Sequence, residues 1–323
     1  MKAKLFLLGL LVSTMTMVGQ TTGTTDSKPE TWYFKLGGSY FMQTAATEFP
    51  VVGGQLPNRD VYEGAVASNK LVSRESVTGS FGQGFRSGIT AGYRFSPRIG
   101  VEMAVNYYSS DTKTMAQTTN RLVKYDPATT AATYVNFTAD GKIKAFDLAP
   151  AIVMFLGENH GFEPYTKVGV IVPIHGTLNI ETDRDYKTFV GANQVAETKA
   201  FSKDVVKPNP TIGFMAALGT SYKLGKNISL FAELEYRNFT VHGKTKETEV
   251  YTENGVDKLN TTTAFRKASY SATHTNYVDR LDSSSNNETY NAAGFKENEA
   301  MNELSSYVGI SGLGLTFGLK YSL

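Results

Sequence analysis

Eight stretches of this chain alternate apolar and polar residues with a period of two, which confines it to folds built from strands with two unlike faces. In TWYFKLGGSYF, Trp32, Phe34, Leu36 and Tyr40 share one face, and Tyr33, Lys35 and Ser39 share the other. FRSGITAGYRF sets Phe85, Ile89, Ala91, Tyr93 and Phe95 against Arg86, Thr90 and Arg94. The third segment follows at once, with Ile99, Val101, Met103, Val105 and Tyr107 opposing Gly100, Glu102, Ala104 and Asn106. FDLAPAIVMF is the weakest of the eight. Its Pro150 removes a donor from any hydrogen-bonded ladder, which predicts a bulge or a shifted strand there. FEPYTKVGVIV, TIGFMAALGTSYKL and ISLFAELEYR repeat the pattern, and the eighth segment reaches Leu323 with Leu315, Phe317, Leu319 and Tyr321 on its apolar face.

The connections between these segments alternate as sharply as the side chains. Short links fall at residues 96–98, 156–161 and 225–227, and long ones at about 43–83, 109–141, 174–209 and 239–304. Strands joined by short turns at one end and long loops at the other, with two-faced alternation, are the pattern of a membrane barrel. Lipid supplies no hydrogen bonds, so such a sheet must close, with its first strand beside its last. The expected fold is all-β: a closed antiparallel up-and-down transmembrane β-barrel of eight strands, with short periplasmic turns and long extracellular loops. Trp32, Phe95, Tyr107, Phe162, Tyr222, Tyr236 and Tyr321 lie near segment ends, where interfacial aromatic girdles belong. The sequences around Gly255 and around Asp140-Gly141 read as hairpin arms that carry strands beyond the bilayer.

The chain begins MKAKLFLLGLLVSTMTMVGQ, with Lys2 and Lys4 before an apolar run too short to span a bilayer. This reads as a secretory signal over residues 1–19, followed by an N-terminal periplasmic segment at 20–30 and the barrel at 31–323. Export without its two signal lysines takes the formal charge from +2 to zero, which leaves no field to recruit nucleic acid. There is no cysteine, so packing and backbone pairing must hold the fold without disulfides.

The second face of the segments carries Lys35, Arg94, Glu102, Glu163, Lys167, Lys223, Glu233, Glu235 and Lys320 among glycines and alanines. The lumen of an eight-stranded barrel is only wide enough for side chains, so these charges are expected to fill it as a plug. Buried charge is costly unless paired, so each base should meet an interior carboxylate. No residue is assigned a catalytic, cofactor-binding or metal-binding role. His160, His175, His242 and His274 lack metal-ligand spacing, and there is no GxSxG elbow. His175 and His242 are the two that a rim-located enzyme would use. GSFGQGF at 79–85 has no lysine for a phosphate loop and reads as a flexible strand entry.

From Trp32 to Leu323 the architecture resembles the small outer-membrane barrels of the OmpA, OmpX and OmpW kind, with local likeness in YFKLGGSYF, EPYTKVGV and GFMAALGTSYKL. The ending GLTFGLKYSL resembles the C-terminal signal read by the outer-membrane assembly machinery, carried by Phe317, Leu319, Tyr321 and Leu323. The resemblance implies a bacterial outer-membrane location, with membrane lipid and that machinery as partners. The chain stops on a strand, so no C-terminal peptidoglycan-binding domain is expected. A monomer is expected, with no cofactor and a structural or surface-interaction role carried by loops that meet an unnamed extracellular ligand. A porin-like passive channel is the alternative, and a surface enzyme ranks third.

Overall fold

The computed structural model describes residues 32–64, 68–209 and 211–323. The expected signal at 1–19 and the segment at 20–30 lie outside the described residues. The eight alternating segments form β1 (Trp32–Gln43), β2 (Gly84–Arg94), β3 (Ile99–Ser110), β4 (Ala131–Phe155), β5 (Phe162–Val190), β6 (Gly213–Lys223), β7 (Ile228–Asn238) and β8 (Gly312–Ser322). Each pairs antiparallel with its neighbours in this order. The pairing then returns from β8 to β1, with Tyr33 opposite Ser322 and Tyr40 opposite Leu315.

Side-chain alternation becomes a buried and an exposed face. In β7, Ser229, Phe231, Glu233, Glu235 and Arg237 are buried, while Leu230, Leu234 and Tyr236 are exposed. The polar face is thus the inner one and the apolar face looks outward, the reverse of a soluble sandwich. Aromatic pairs stand near both ends of the strands. Trp32 packs on Tyr93 and Phe162 on Tyr222 at the short-turn end, and Tyr107 packs on Phe146 near the other.

The strand ladder continues well past the eight segments at the loop end. β4 is 25 residues long and β5 is 29. Lys113–Asp126 pairs with the first half of β4, Asn193–Asn209 with the second half of β5, and Thr240–Glu253 with Asn193–Asn209. The connections expected at 109–141 and 174–209 are therefore strand for most of their length. Asp140-Gly141 is not a turn: β4 runs straight through it, with Asp140 opposite Glu181. Gly141 is needed for space, because a Cβ there would sit 2.6 Å from Met115 Sδ and 2.7 Å from Phe81 Cζ. The chain does reverse at Asn254-Gly255, where Glu253 pairs with Val256 and both turn residues have positive φ, as a two-residue hairpin requires.

No bulge forms at Pro150. It faces Met103 in an unbroken β3–β4 register, and its β5 side holds the same register from Gly169–Ala151 to Val172–Leu148. The break lies one strand over, between Pro173 and His175 of β5. That extra residue switches parity. Below it Glu163, Tyr165, Lys167 and Ile171 are buried, and above it Leu178, Ile180 and Thr182.

The first long connection, expected as a loop over 43–83, folds back over the loop end. Thr47–Glu48 pairs with Thr78–Gly79, and Asn58–Tyr62 with Leu71–Ser76. Its Phe49, Val52, Val77 and Phe81 join Met115, Phe137, Ile143, Ile180, Val206, Phe239 and Val308 in an apolar core inside the extended sheet. GSFGQGF is accordingly packed rather than flexible. Phe81 is fully buried, its N–H donates to the Gly309 carbonyl, and Gly82 lets the backbone lie against that of Ser311.

Candidate functional site

The inner face of the eight strands carries a continuous column of charge. Nearest the short turns, Arg94 meets Glu163 at 2.6 Å and stacks over Phe155 at 4.0 Å, and Lys320 reaches the other Glu163 oxygen at 3.6 Å. One layer further in, four side chains from four strands alternate in sign. Lys35 lies 2.5 Å from Glu102 and 3.1 Å from Glu233, while Lys167 lies 2.7 Å from Glu233 and 3.4 Å from Glu102. Tyr33 donates to Glu102 at 3.0 Å and Tyr165 to Glu233 at 2.8 Å. Each phenol fills the space over a glycine. A Cβ at Gly92 would clash with the Tyr33 ring at Cζ and Cε2, and one at Gly219 would lie 2.6 Å from Tyr165 Cζ.

Above this quartet Arg86 grips Glu235 through both guanidinium nitrogens, at 2.6 and 2.5 Å. Arg237 binds Asp147 at 2.7 Å and lies 3.8 Å from Glu235, and Asn106 donates to the second Asp147 oxygen at 2.8 Å. All of these charged groups are almost wholly withdrawn from solvent; Glu235 is 0% exposed. The free space among them is a cavity of about 30 Å³, room for a few water molecules at most. The column can hold strands in register and block passage. It offers no vacant ligand pocket.

Eight of the nine charges singled out from the sequence, Lys35, Arg94, Glu102, Glu163, Lys167, Glu233, Glu235 and Lys320, lie in this column. Lys223 does not. It sits at the end of β6, 41% exposed, and pairs with Glu158 of the 156–161 turn at 2.6 Å, because the strand ends before its side chain can enter the lumen. Arg86, Asp147 and Arg237 belong to the column without having been singled out. Their signal was parity: Arg86 shares a face with Arg94, Asp147 with Ala149, and Arg237 with Glu235.

One histidine meets a carboxylate: His274 Nε2 lies 3.8 Å from Glu247 Oε1, away from the charge column. His242 contacts Ser305 Oγ at 3.1 Å and packs on Tyr307, while the neighbouring Glu235 and Arg237 point inward to Arg86 and Asp147. His175 and His242 border a small apolar cavity of about 60 Å³ among Pro173, Pro208, Phe239 and Val308. Among the described residues, no three His, Asp or Glu side chains are grouped as a metal site.

A family model described as "Outer membrane protein beta-barrel domain" matches residues 34–270. The chain belongs to that family. It is an outer-membrane β-barrel protein, and its inward polar face and outward apolar face are what that family's environment demands. The outer membrane protein OprG of Pseudomonas aeruginosa is similar in structure, with 11% identity and a TM-score of 0.38, over 91% of this chain and 96% of that one. Neisserial surface protein A (NspA) gives 11% identity and a TM-score of 0.31, over 90% and 97% of the two chains. No curated protein matches the chain.

Proposed function

We propose that this outer-membrane barrel protein closes as an eight-stranded transmembrane barrel with a sealed lumen, and that its working part is the sheet extending into the extracellular space. The observation that carries the reading is the filling of the lumen: a paired charge column with room for a few waters at most, overlain by the apolar core around Phe81. The ring of pairings from β1 through β8 and back leaves no edge to face lipid. From Trp32 to Tyr40 is roughly 26 Å of strand, or about 20 Å of height at a tilt of ~40°, close to the apolar band of an outer-membrane barrel. The short turns then face the periplasm, which the chain reaches by its N-terminal signal. Phe317, Leu319, Tyr321 and Leu323, all exposed on the apolar face of β8, serve as the assembly signal.

A passive channel is the competing function, and planar-bilayer recording of the purified folded protein separates the two. The sealed barrel gives no steady single-channel steps. Steady openings in the unmodified protein would overturn the reading.

A further inference from the structure

The outward face of the extended sheet contains a cleft of about 370 Å³, far from the charge column. Three strands build its floor. β4 contributes Ala132, Tyr134 and Asn136, and directly across from them β5 contributes Phe189, Lys187 and Asp185. Asn120 comes from the neighbouring Lys113–Asp126 strand, where the ladder is interrupted between Thr118 and Arg121 and Asn120 takes φ of +57°. An irregularity of this kind re-aims a side chain, and asparagine is among the few residues that tolerate the left-handed conformation. Asn136 Oδ1 accepts from the Asn120 backbone N–H at 2.9 Å, which fixes the Asn136 side-chain amide at the cleft wall.

The chemistry of the lining is specific. Tyr134 and Phe189 meet edge to face at 6.1 Å and supply an aromatic surface. Lys187 pairs with Asp185 Oδ2 at 3.1 Å, so the two charged side chains of the lining sum to zero. Asp185 Oδ1 is buried yet has no hydrogen-bond partner among the described residues. A carboxylate oxygen without a donor is unfavourable, and a small turn of the partly exposed Asp185 carboxylate toward the cleft would let a ligand hydroxyl donate to it. A volume of this size lies in the range of small-ligand sites.

We propose that this cleft binds a neutral sugar residue of a glycan at the cell surface. A pyranose ring has an apolar C–H face that lies on an aromatic side chain, and hydroxyl edges that give and take hydrogen bonds with planar carboxylate and amide groups. Aromatic surface, a fixed Asn136 amide with Asn120 beside it, a carboxylate oxygen lacking a donor and a paired charge together match that chemistry. The inference rests on the reading of the extended sheet as the extracellular working surface, and it names the ligand class for that surface.

The test uses the full-length protein folded in detergent micelles, titrated with glucose, galactose and N-acetylglucosamine oligosaccharides and read by saturation-transfer NMR. At least one neutral series binds, and Asp185→Ala and Asn136→Ala each weaken it by about tenfold, with the thermal unfolding midpoint unchanged. Asp282→Ala, in a remote exposed turn, leaves binding intact. Absence of binding by every neutral series, or stronger binding of sialylated or sulfated sugars that is insensitive to Asp185→Ala, overturns the proposal. The chain has no cysteine, so Val195→Cys, on an exposed position of the same extension, is labelled by an impermeant maleimide on intact cells if the sheet is extracellular. Labelling without sugar binding rejects the sugar site alone. No labelling removes the surface reading and the sugar site with it.

Discussion

Replacing Glu235 by leucine isolates the energetic worth of the charge column. Glu235 is fully buried, and its two oxygens take the whole fork of Arg86. Without it Arg86 keeps only hydroxyl partners, Ser39 at 3.1 Å and Thr316 at 3.4 Å, for five N–H donors. Arg237 is less affected, because its principal partner is Asp147. Two unit charges 4 Å apart attract by about 4 kcal/mol at an effective dielectric of ~20, and breaking a buried pair by removing one partner costs about 3–5 kcal/mol. Glu235→Leu should therefore destabilise the folded barrel by about that amount. Arg86→Leu with Glu235→Leu should cost far less than either single change, because an apolar pair of similar volume removes the stranded charge. Trp32, the one tryptophan, sits half-exposed on β1 and reports folding into lipid vesicles by fluorescence during urea titration. A single-variant cost under about 1 kcal/mol, with a double variant no better than the sum of the two, would refute the reasoning. It would mean that water reaches Arg86 and that the lumen is wet.

Other parts of the fold make separate claims. Gly219→Val should force Tyr165 off Glu233 and cost about 1–3 kcal/mol in the same urea titration, whereas Gly225→Ala, which has open space around it, should be nearly neutral. Phe81→Ala should open a cavity in the apolar core and lower stability by about 3 kcal/mol or more, yet planar-bilayer recording should still show no steady conductance because the charge column beneath remains intact. Burial disfavours the Lys246 ammonium, but Glu303 at 3.1 Å outweighs it and holds its pKa above the ordinary 10.5. Because the folded value is the higher one, this contribution is fully present below pH 10.5 and is lost as pH rises through the raised value. Protease protection of Met301–Leu304 should accordingly persist through mildly alkaline pH and fall only beyond the usual lysine range.

The parts of this molecule legible in the sequence are those governed by period two. Lipid on one side and a narrow lumen on the other impose the same alternation on every strand. Parity alone therefore separates Leu230 from Glu233 and puts Lys35, Glu102, Lys167 and Glu233 on one face. Parity does not say where a strand ends, which is why Lys223 was misplaced by one layer. Nor does it say which glycine is a turn and which is a space. Asn254-Gly255 and Asp140-Gly141 look alike as dipeptides. Only the three-dimensional approach of Phe81 and Met115 to Gly141 distinguishes them. Pro150 misled for a related reason: a missing donor on one strand can be absorbed without a register shift, and the shift appeared instead between Pro173 and His175 of β5.

That displaced bulge also explains how one chain carries two unlike interiors. Below Pro173 the inner positions of β5 hold Glu163, Tyr165 and Lys167, which pair across the lumen with Arg94, Lys320, Glu102 and Glu233 of strands that do not neighbour β5. Above it the switched parity turns Leu178 and Ile180 inward, where they pack on the core around Phe81. Without the extra residue, the inner face would instead present Asn179, Glu181 and Asp183 to that core, three polar groups with no charged partners at that level. The bulge thus lets the polar-lined ring of eight strands pass directly into the apolar-cored extension of the sheet. It also turns Asp185, Lys187 and Phe189 outward, onto the face where the cleft lies. Deleting Ile174, which restores the lower parity through the rest of β5, should therefore dismantle the apolar core and the cleft together while leaving the charge column below intact.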